Sequence, residues 1–157
     1  MKNGKWKVYA FWILLAEGVG ALSGWLSRDG MKIYESTVIQ PPLSPPSWLF
    51  PIVWGILYAL MGIGAAKVWM APRGPHRSRG LNLFILQLVL NFFWSLIFFN
   101  AQAFGLALLW LVLLWGLVLW MILEFRKVDK LAGNIQIPYL AWLTFAAYLN
   151  WGVWYLN

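Results

Sequence analysis

Few side chains in this sequence could perform acid–base, nucleophilic or metal chemistry, because charged residues make up only 11% of its 157 residues. Cysteine is absent, which excludes disulfides, thiolate metal sites and cysteine nucleophiles. His76 is the only histidine, and it lies among Arg73, Arg77 and Arg79. We expect it to be solvated rather than to bind a metal, since one histidine without cysteine or carboxylate neighbours makes no metal site. The sequence therefore predicts no metal site and no required cofactor.

Glu17 is the one carboxylate in the middle of a long apolar run. An ionised carboxylate at the centre of a membrane costs roughly 2.5–3.5 kcal/mol on insertion scales, so Glu17 should face protein, be protonated, or touch ligand or water. Gly20 and Gly24 share its helix face and would admit a close neighbouring helix. Two interpretations stay open: a hydrogen bond that packs helices together, or a role in a cavity or with a ligand.

Aromatic and amide side chains recur at helical spacing inside three other apolar runs. The residues that share a face in this way are Trp54 and Tyr58, then Gln87, Asn91 and Trp94, and finally Trp142, Ala146, Leu149 and Asn150. Amides buried in hydrocarbon need partners, so Gln87, Asn91 and Asn150 should turn inward. Trp54, Trp94 and Trp142 lie well inside their helices, either as packing residues or as the walls of one cavity. Such a cavity would suit a flat, largely apolar ligand.

The elements that position these residues are helices long enough to cross a bilayer. Hydrophobic residues make up 62% of the chain and fall in blocks of about 20. The sequence predicts an all-α membrane protein, a single five-transmembrane-helix bundle over residues 1–157. The predicted helices are about 7–26, 47–69, 81–100, 103–123 and 135–156. The first connection, Ser27–Pro46, is the only one long enough to act as a lid.

The distribution of Lys and Arg predicts the orientation in the membrane. The N-terminus and the second and fourth connections with their flanks carry ten basic residues, whereas the opposite side carries only Arg28 and Lys32. The positive-inside rule then places the N-terminus in the cytoplasm and the C-terminus outside, in a bacterial cell membrane. These charges account for the net charge of +7, so no nucleic-acid partner is expected. The first apolar run is long and contains Glu17, which favours a retained helix over a cleaved signal peptide.

Three segments resemble motifs of the TspO/MBR family of tryptophan-rich sensory and translocator proteins, also called the peripheral-type benzodiazepine receptor family. Residues 45–58, PPSWLFPIVWGILY, resemble its PPxWxFPxVWxxLY segment. Residues 87–99, QLVLNFFWSLIFF, resemble QLxLNxxWxxxFF, and residues 138–150, PYLAWLTFAAYLN, resemble PYLxWxxxAxxLN. The segments occur in the order of the family. The first connection departs from the family's usual KPxWxPP, because residues 40–46 read QPPLSPP.

The resemblance implies a five-helix bundle, commonly a homodimer, that binds porphyrins of the protoporphyrin IX or haem type and, in animal members, cholesterol. With the inward amides added, the predicted ligand-binding residues are Tyr34, Pro45, Pro46, Trp54, Tyr58, Gln87, Asn91, Trp94, Trp142, Ala146, Leu149 and Asn150. Expected partners are a porphyrin or another flat apolar small molecule, the lipid bilayer and a second copy of the chain.

The resemblance leaves several functions open. The leading one is a sensor, buffer or transporter of porphyrins. The alternatives are an enzyme that degrades porphyrin in light, with Trp54, Trp142 and Tyr34 as the photochemical residues, and a transporter of small molecules or sterol-like lipids. General acid–base chemistry would have only Glu17 and tyrosines to work with.

Overall fold

We describe the protein from a computed structural model, which covers residues 2–157 and the side chains from residue 4 onward. These residues form seven α-helices and one π-helical turn, with no strand among them. The helices are α1 (Lys2–Leu26), α2 (Arg28–Thr37), α3 (Leu49–Trp69), α4 (Pro75–Ser95), α5 (Phe104–Val128), α6 (Lys130–Asn134) and α7 (Ile137–Leu156), and the π-helical turn Leu96–Asn100 continues α4. The fold is therefore all-α, as predicted.

Four of these helices are long and apolar enough to cross a membrane. They are Gly4–Leu26, Leu49–Trp69, Pro75–Asn100 and Phe104–Val128. The fifth, α7, has 20 residues and no charged residue, but its tryptophans, tyrosines and Asn150 lower its mean hydropathy. A helix of 20 residues spans about 30 Å, the thickness of the hydrocarbon core. The bundle is thus an integral membrane protein, and five long helices agree with the number predicted.

The long helices pack side by side: α1 lies against α3 and α4, α4 lies against α5, and α5 lies against α7. Helix α1 approaches α3 closely at Gly62, where an added Cβ would lie 2.8 Å from the carbonyl oxygen of Trp12. Hydrogen bonds also cross between helices, from the Ser23 hydroxyl to the Phe92 carbonyl at 3.0 Å and from the Trp110 indole to the Leu90 carbonyl at 2.7 Å. Small residues and indole donors thus fix the helix pairs in place of the hydrophobic effect, which is weak inside lipid.

The two ends of the bundle differ in chemistry. One end, which we call the basic end, holds the connections 70–74 and 129–136 and their flanks, with seven Lys and Arg residues. The other, which we call the capped end, is covered by residues 27–48. There the Asn157 side chain exchanges two hydrogen bonds with the backbone of Ile39, at 3.1 and 2.8 Å, and the Tyr148 hydroxyl donates to the carbonyl of Pro42 at 2.8 Å. The segment is therefore held onto α7.

The boundaries predicted from the sequence need four corrections. The connection Ser27–Pro46 is partly helical, because Gly30 and Tyr34 of α2 share one face that packs on the π-helical turn. The third long helix begins at Pro75 rather than near 81, since proline suits a first helical turn. The fourth continues to Val128 rather than ending near 123, because its charged last turn is paired at the basic end. A short helix, α6, precedes α7 and is capped by the Asp129 side chain, which accepts from the Ala132 amide at 3.1 Å.

Candidate ligand-binding site

The two central tryptophans of α3 and α7 face each other across a seam between these helices. Few α-carbons of α3 and α7 come close together, so large side chains fill the space between them. The ring centroids of Trp54 and Trp142 lie 6.5 Å apart, and the two rings are nearly perpendicular. The ring of Phe50 packs edge-on against Trp142 at 5.9 Å. The ring of Tyr139 packs edge-on against Trp54 at 6.2 Å. We call these four residues the aromatic seam. Tyr139 is fully buried and the other three are half-buried, so the seam is an edge-to-face aromatic contact between α3 and α7.

The indole N–H of Trp142 is buried without a hydrogen-bond acceptor among the described residues. A buried donor without a partner costs about 1–3 kcal/mol, so such groups in a folded protein need an explanation. The donor lies within the aromatic seam, beside the predicted ligand-binding residue Trp54. An acceptor on a bound molecule would satisfy it.

A chain of buried hydrogen bonds lies next to the seam and joins α3, α4 and α7. The Tyr58 hydroxyl donates to the Asn91 side-chain oxygen at 2.9 Å, and the Asn91 amide donates to the Tyr139 hydroxyl at 2.7 Å. The Tyr139 hydroxyl then donates to the side-chain oxygen of Gln87 at 2.7 Å. The side-chain amide of Gln87 in turn contacts the Met61 sulfur at 3.8 Å. Gln87 and Asn91 are buried, which confirms that these amides turn inward. Their polar groups already bind one another.

Trp94 lies in a second aromatic cluster, toward the capped end, and makes no ring contact with Trp54 or Trp142 among the described residues. Its ring stacks on Phe98 at 5.0 Å, and its indole donates to the Asn150 side-chain oxygen at 3.1 Å. Tyr34 packs on Phe98 and Phe99 at 5.4 and 5.3 Å. Burial raises the pKa of the Tyr34 phenol to about 12, so this hydroxyl stays protonated at neutral pH. The predicted site residues thus fall into two groups rather than one wall.

The remaining predicted site residues lie around these two groups. Ala146 and Leu149 are buried on α7, and Asn150 also donates to the Phe104 carbonyl at 2.8 Å. Pro45 is half-buried and Pro46 exposed, where the capping segment enters α3. An open cleft of about 700 Å³ lies away from the seam at the capped end. Its lining includes Val38, Phe104, Trp154 and Asn157.

Glu17 is half-buried and has no hydrogen-bond partner among residues 4–157. Gly20, on the same face, packs on the ring of Tyr58, where an added Cβ would lie 2.8 Å from Cζ, whereas Gly24 faces open space. The packing hydrogen bond considered for Glu17 is therefore not seen in the described part of the chain. Only Gly20 of the two glycines serves close packing.

His76 is not solitary, and the sequence-based expectation that it has no carboxylate neighbour is wrong. Its Nδ1 lies 3.1 Å from both carboxylate oxygens of Glu124, which is buried near the end of α5. Arg79 and Lys127 approach the same carboxylate at 3.3 and 3.7 Å. This cluster was missed from the sequence because the fourth helix was predicted to end at residue 123, which left Glu124 outside the helix that carries it toward His76. No group of three His, Cys, Asp or Glu residues able to hold a metal occurs among the described residues.

Tyr139 and Phe50 were not among the predicted site residues, although both lie in the quoted motifs. Tyr139 sits three residues before Trp142 and is fully buried, so a helix-face argument starting from Trp142 would have included it. Phe50 is four residues before Trp54 and could have been found in the same way. No sequence pattern could have predicted that the indole N–H of Trp142 lacks a hydrogen-bond acceptor.

An all-α bundle of long apolar helices, with an aromatic seam and a buried amide network between them, defines the class of protein: an integral membrane protein rather than a soluble domain. Residues 12–156 match the TspO/MBR family. The chain belongs to this family. It is 41% identical to "Tryptophan-rich protein TspO" of Chlorobaculum tepidum over 94% of each chain. It is 36% identical to "Translocator protein" of Homo sapiens over 94% of this chain and 89% of the human one. "Protein CrtK" of Rhodobacter capsulatus is 40% identical over 75% of this chain and 74% of its own.

Proposed function

We propose that this protein binds a tetrapyrrole of the protoporphyrin type between α3 and α7, as a sensor, buffer or transporter in the membrane. The observation that carries the proposal is the aromatic seam, where Trp54 and Trp142 face each other and the Trp142 indole N–H lacks an acceptor. A macrocycle entering the seam has to part the two rings, and it would then stack on them. Its nitrogens or carboxylates supply the acceptor that the indole lacks.

Stacking and burial, not metal ligation, would provide the affinity. His76 is engaged with Glu124 at the basic end, and the Met61 sulfur already contacts the Gln87 amide. Tyr139 is the one seam residue with a side-chain oxygen that could ligate a haem iron, and its hydroxyl already bonds Asn91 and Gln87, so the described residues of the seam offer no free axial ligand. A flat apolar ring gains the same stacking with or without a metal.

The experiment is a titration of the purified protein with metal-free protoporphyrin IX and with haem in the same detergent, followed by porphyrin absorbance. We expect the two dissociation constants to agree within about tenfold, or about 1.4 kcal/mol. Haem binding about a hundredfold tighter, with a spectrum of nitrogen or sulfur axial ligation, would place the site elsewhere.

Light-dependent degradation of porphyrin is the second candidate, favoured by the contact of Trp54 with both Trp142 and Tyr58, whose rings lie 6.5 and 5.5 Å from its own. Close aromatic rings can pass electrons to an excited porphyrin. Illumination of the saturated complex separates the candidates. Loss of porphyrin absorbance that is faster than with the Trp54→Phe/Trp142→Phe variant supports degradation, and equal loss supports binding alone.

A further inference from the structure

A cleft of about 530 Å³ opens between α4 and α5 at the basic end. Its walls include Ser78, Arg79, Asn82, Leu83, Leu86 and Trp120. Ser78, Arg79 and Asn82 stand nearest the helix end and are exposed, whereas Leu86 and Trp120 follow deeper along the two helices. The cleft thus changes from polar and basic to apolar over about two helical turns.

Arg79 is held in this cleft by a buried partner. Its Nη1 donates to both oxygens of Glu124 at 3.3 and 3.4 Å, and Glu124 is only 2% exposed. The Arg79 side chain is itself 48% exposed, so the rest of its guanidinium faces the cleft. A guanidinium fixed through one nitrogen loses little further entropy when it binds an anion with the others.

The charged and polar side chains around the cleft favour an anionic ligand. Glu124 carries one negative charge, against the positive charges of Arg79 and Lys127 that contact it. Asn82 is a polar amide on the exposed face of α4, one turn beyond Ser78, where a lipid-facing helix normally carries an apolar residue. An anionic headgroup would receive hydrogen bonds from Arg79, Ser78 and Asn82 together.

We propose that this cleft binds the phosphate headgroup of an anionic membrane lipid, with an acyl chain lying along Leu86 and Trp120. The headgroup phosphate bonds Arg79 at the level where the membrane interface meets the end of α4. Trp120, on α5, is 50% exposed and lies deeper along the cleft than Arg79, so its ring offers a flat apolar surface to the acyl chain. The gradient from guanidinium to leucine matches the gradient from phosphate to acyl chain.

The test is native mass spectrometry of the full-length protein in neutral detergent with an equal mixture of phosphatidylglycerol and phosphatidylcholine of identical acyl chains. We expect wild type to retain more phosphatidylglycerol, and Arg79→Gln to lower that preference about fivefold, the factor for one basic residue at an anionic surface. The matched control is Arg73→Gln, which removes the same charge from the same end but does not line the cleft.

Because Arg79→Gln also removes one of the three basic partners of the buried Glu124, a second variant separates loss of the cleft from loss of this cluster. Ser78→Ala/Asn82→Leu leaves the Glu124 cluster intact, and we expect it to lower the preference at least twofold. The proposal would be overturned if Arg73→Gln lowered the preference for phosphatidylglycerol as much as Arg79→Gln does. It would also be overturned if neither Arg79→Gln nor Ser78→Ala/Asn82→Leu lowered that preference. Removal of the bound lipid by millimolar inorganic phosphate would also overturn it, since a free anion would then be the better occupant.

Discussion

The hydrogen bonds of Asn91 link three helices at one residue. Its side chain accepts from Tyr58 and donates to Tyr139, so each amide group has a partner. Buried polar networks of this kind are stable only when every member is satisfied. Asn91 therefore specifies how α3, α4 and α7 face one another beside the seam.

We expect Asn91→Leu to lower the free energy of unfolding by about 1–3 kcal/mol, because the buried Tyr58 hydroxyl loses its acceptor. The measurement is thermal or denaturant unfolding in lipid-free detergent. Asn82→Leu, which changes an exposed asparagine on the same helix, is the matched control and should alter stability by less than about 0.5 kcal/mol. Equal losses of unfolding free energy in the two variants would show that the buried hydrogen-bond network does not stabilise the fold.

The unpartnered indole of Trp142 makes a separate prediction. Trp142→Phe keeps an aromatic ring but removes the N–H, so stability should not fall by the cost of a lost hydrogen bond. Porphyrin affinity should fall roughly two- to tenfold, since a net hydrogen bond contributes about 0.5–1.5 kcal/mol. Trp151→Phe, an exposed position on the same helix, should leave affinity unchanged. Unaltered affinity in Trp142→Phe would mean that the indole does not donate to the ligand.

At the scale of helices, the contact of α1 with α3 depends on Gly62. A Cβ at Gly62 would meet the backbone of Ile13 and the Trp12 carbonyl, whereas a Cβ at Gly55 on the same helix would meet nothing within 4 Å. We expect Gly62→Ala to cost about 1–3 kcal/mol by overpacking. Gly55→Ala should be neutral or stabilise by about 0.5–1 kcal/mol, because alanine loses less entropy than glycine in a helix. Thermal unfolding of both variants in one detergent measures the difference, and equal melting temperatures would contradict the assigned helix contact.

The five long helices were predictable from the sequence because membrane spans need long apolar runs, and only their ends required correction, whereas the short helices α2 and α6 were missed. Helix ends are decided by local partners. The ion pairs of Glu124 stabilise the last turn of α5. The packing of Gly30 and Tyr34 on the π-helical turn stabilises α2, in a segment that was predicted to be a connection. The sequence also predicted, from the need of amides in hydrocarbon for partners, that Gln87, Asn91 and Asn150 turn inward, which the structure confirms. It could not predict that Trp94 pairs with Asn150, away from Trp54, because helix rotation is set by packing across the whole bundle.

At the scale of the whole molecule, the charge asymmetry between the two ends predicts orientation. The basic end should lie in the cytoplasm and the end of α7 outside. A C-terminal fusion to a reporter that is active only outside the cytoplasm should therefore be active in bacterial cells, and the same reporter at the N-terminus should be silent. The opposite pattern would overturn the orientation. The homodimer implied by the family resemblance stays a prediction, which the mass of the purified complex can test.

The binding of metal-free protoporphyrin IX to the Trp54→Ala/Trp142→Ala variant tests the central claim most directly. With both rings removed, the variant should bind at least tenfold more weakly than wild type, because each lost stacking contact costs about 0.5–1.5 kcal/mol beyond the lost area. The control is Trp151→Ala/Trp154→Ala, which removes two exposed tryptophans from α7 and should bind as wild type does. Wild-type affinity in a Trp54→Ala/Trp142→Ala protein that melts as a folded bundle would contradict a porphyrin site between α3 and α7.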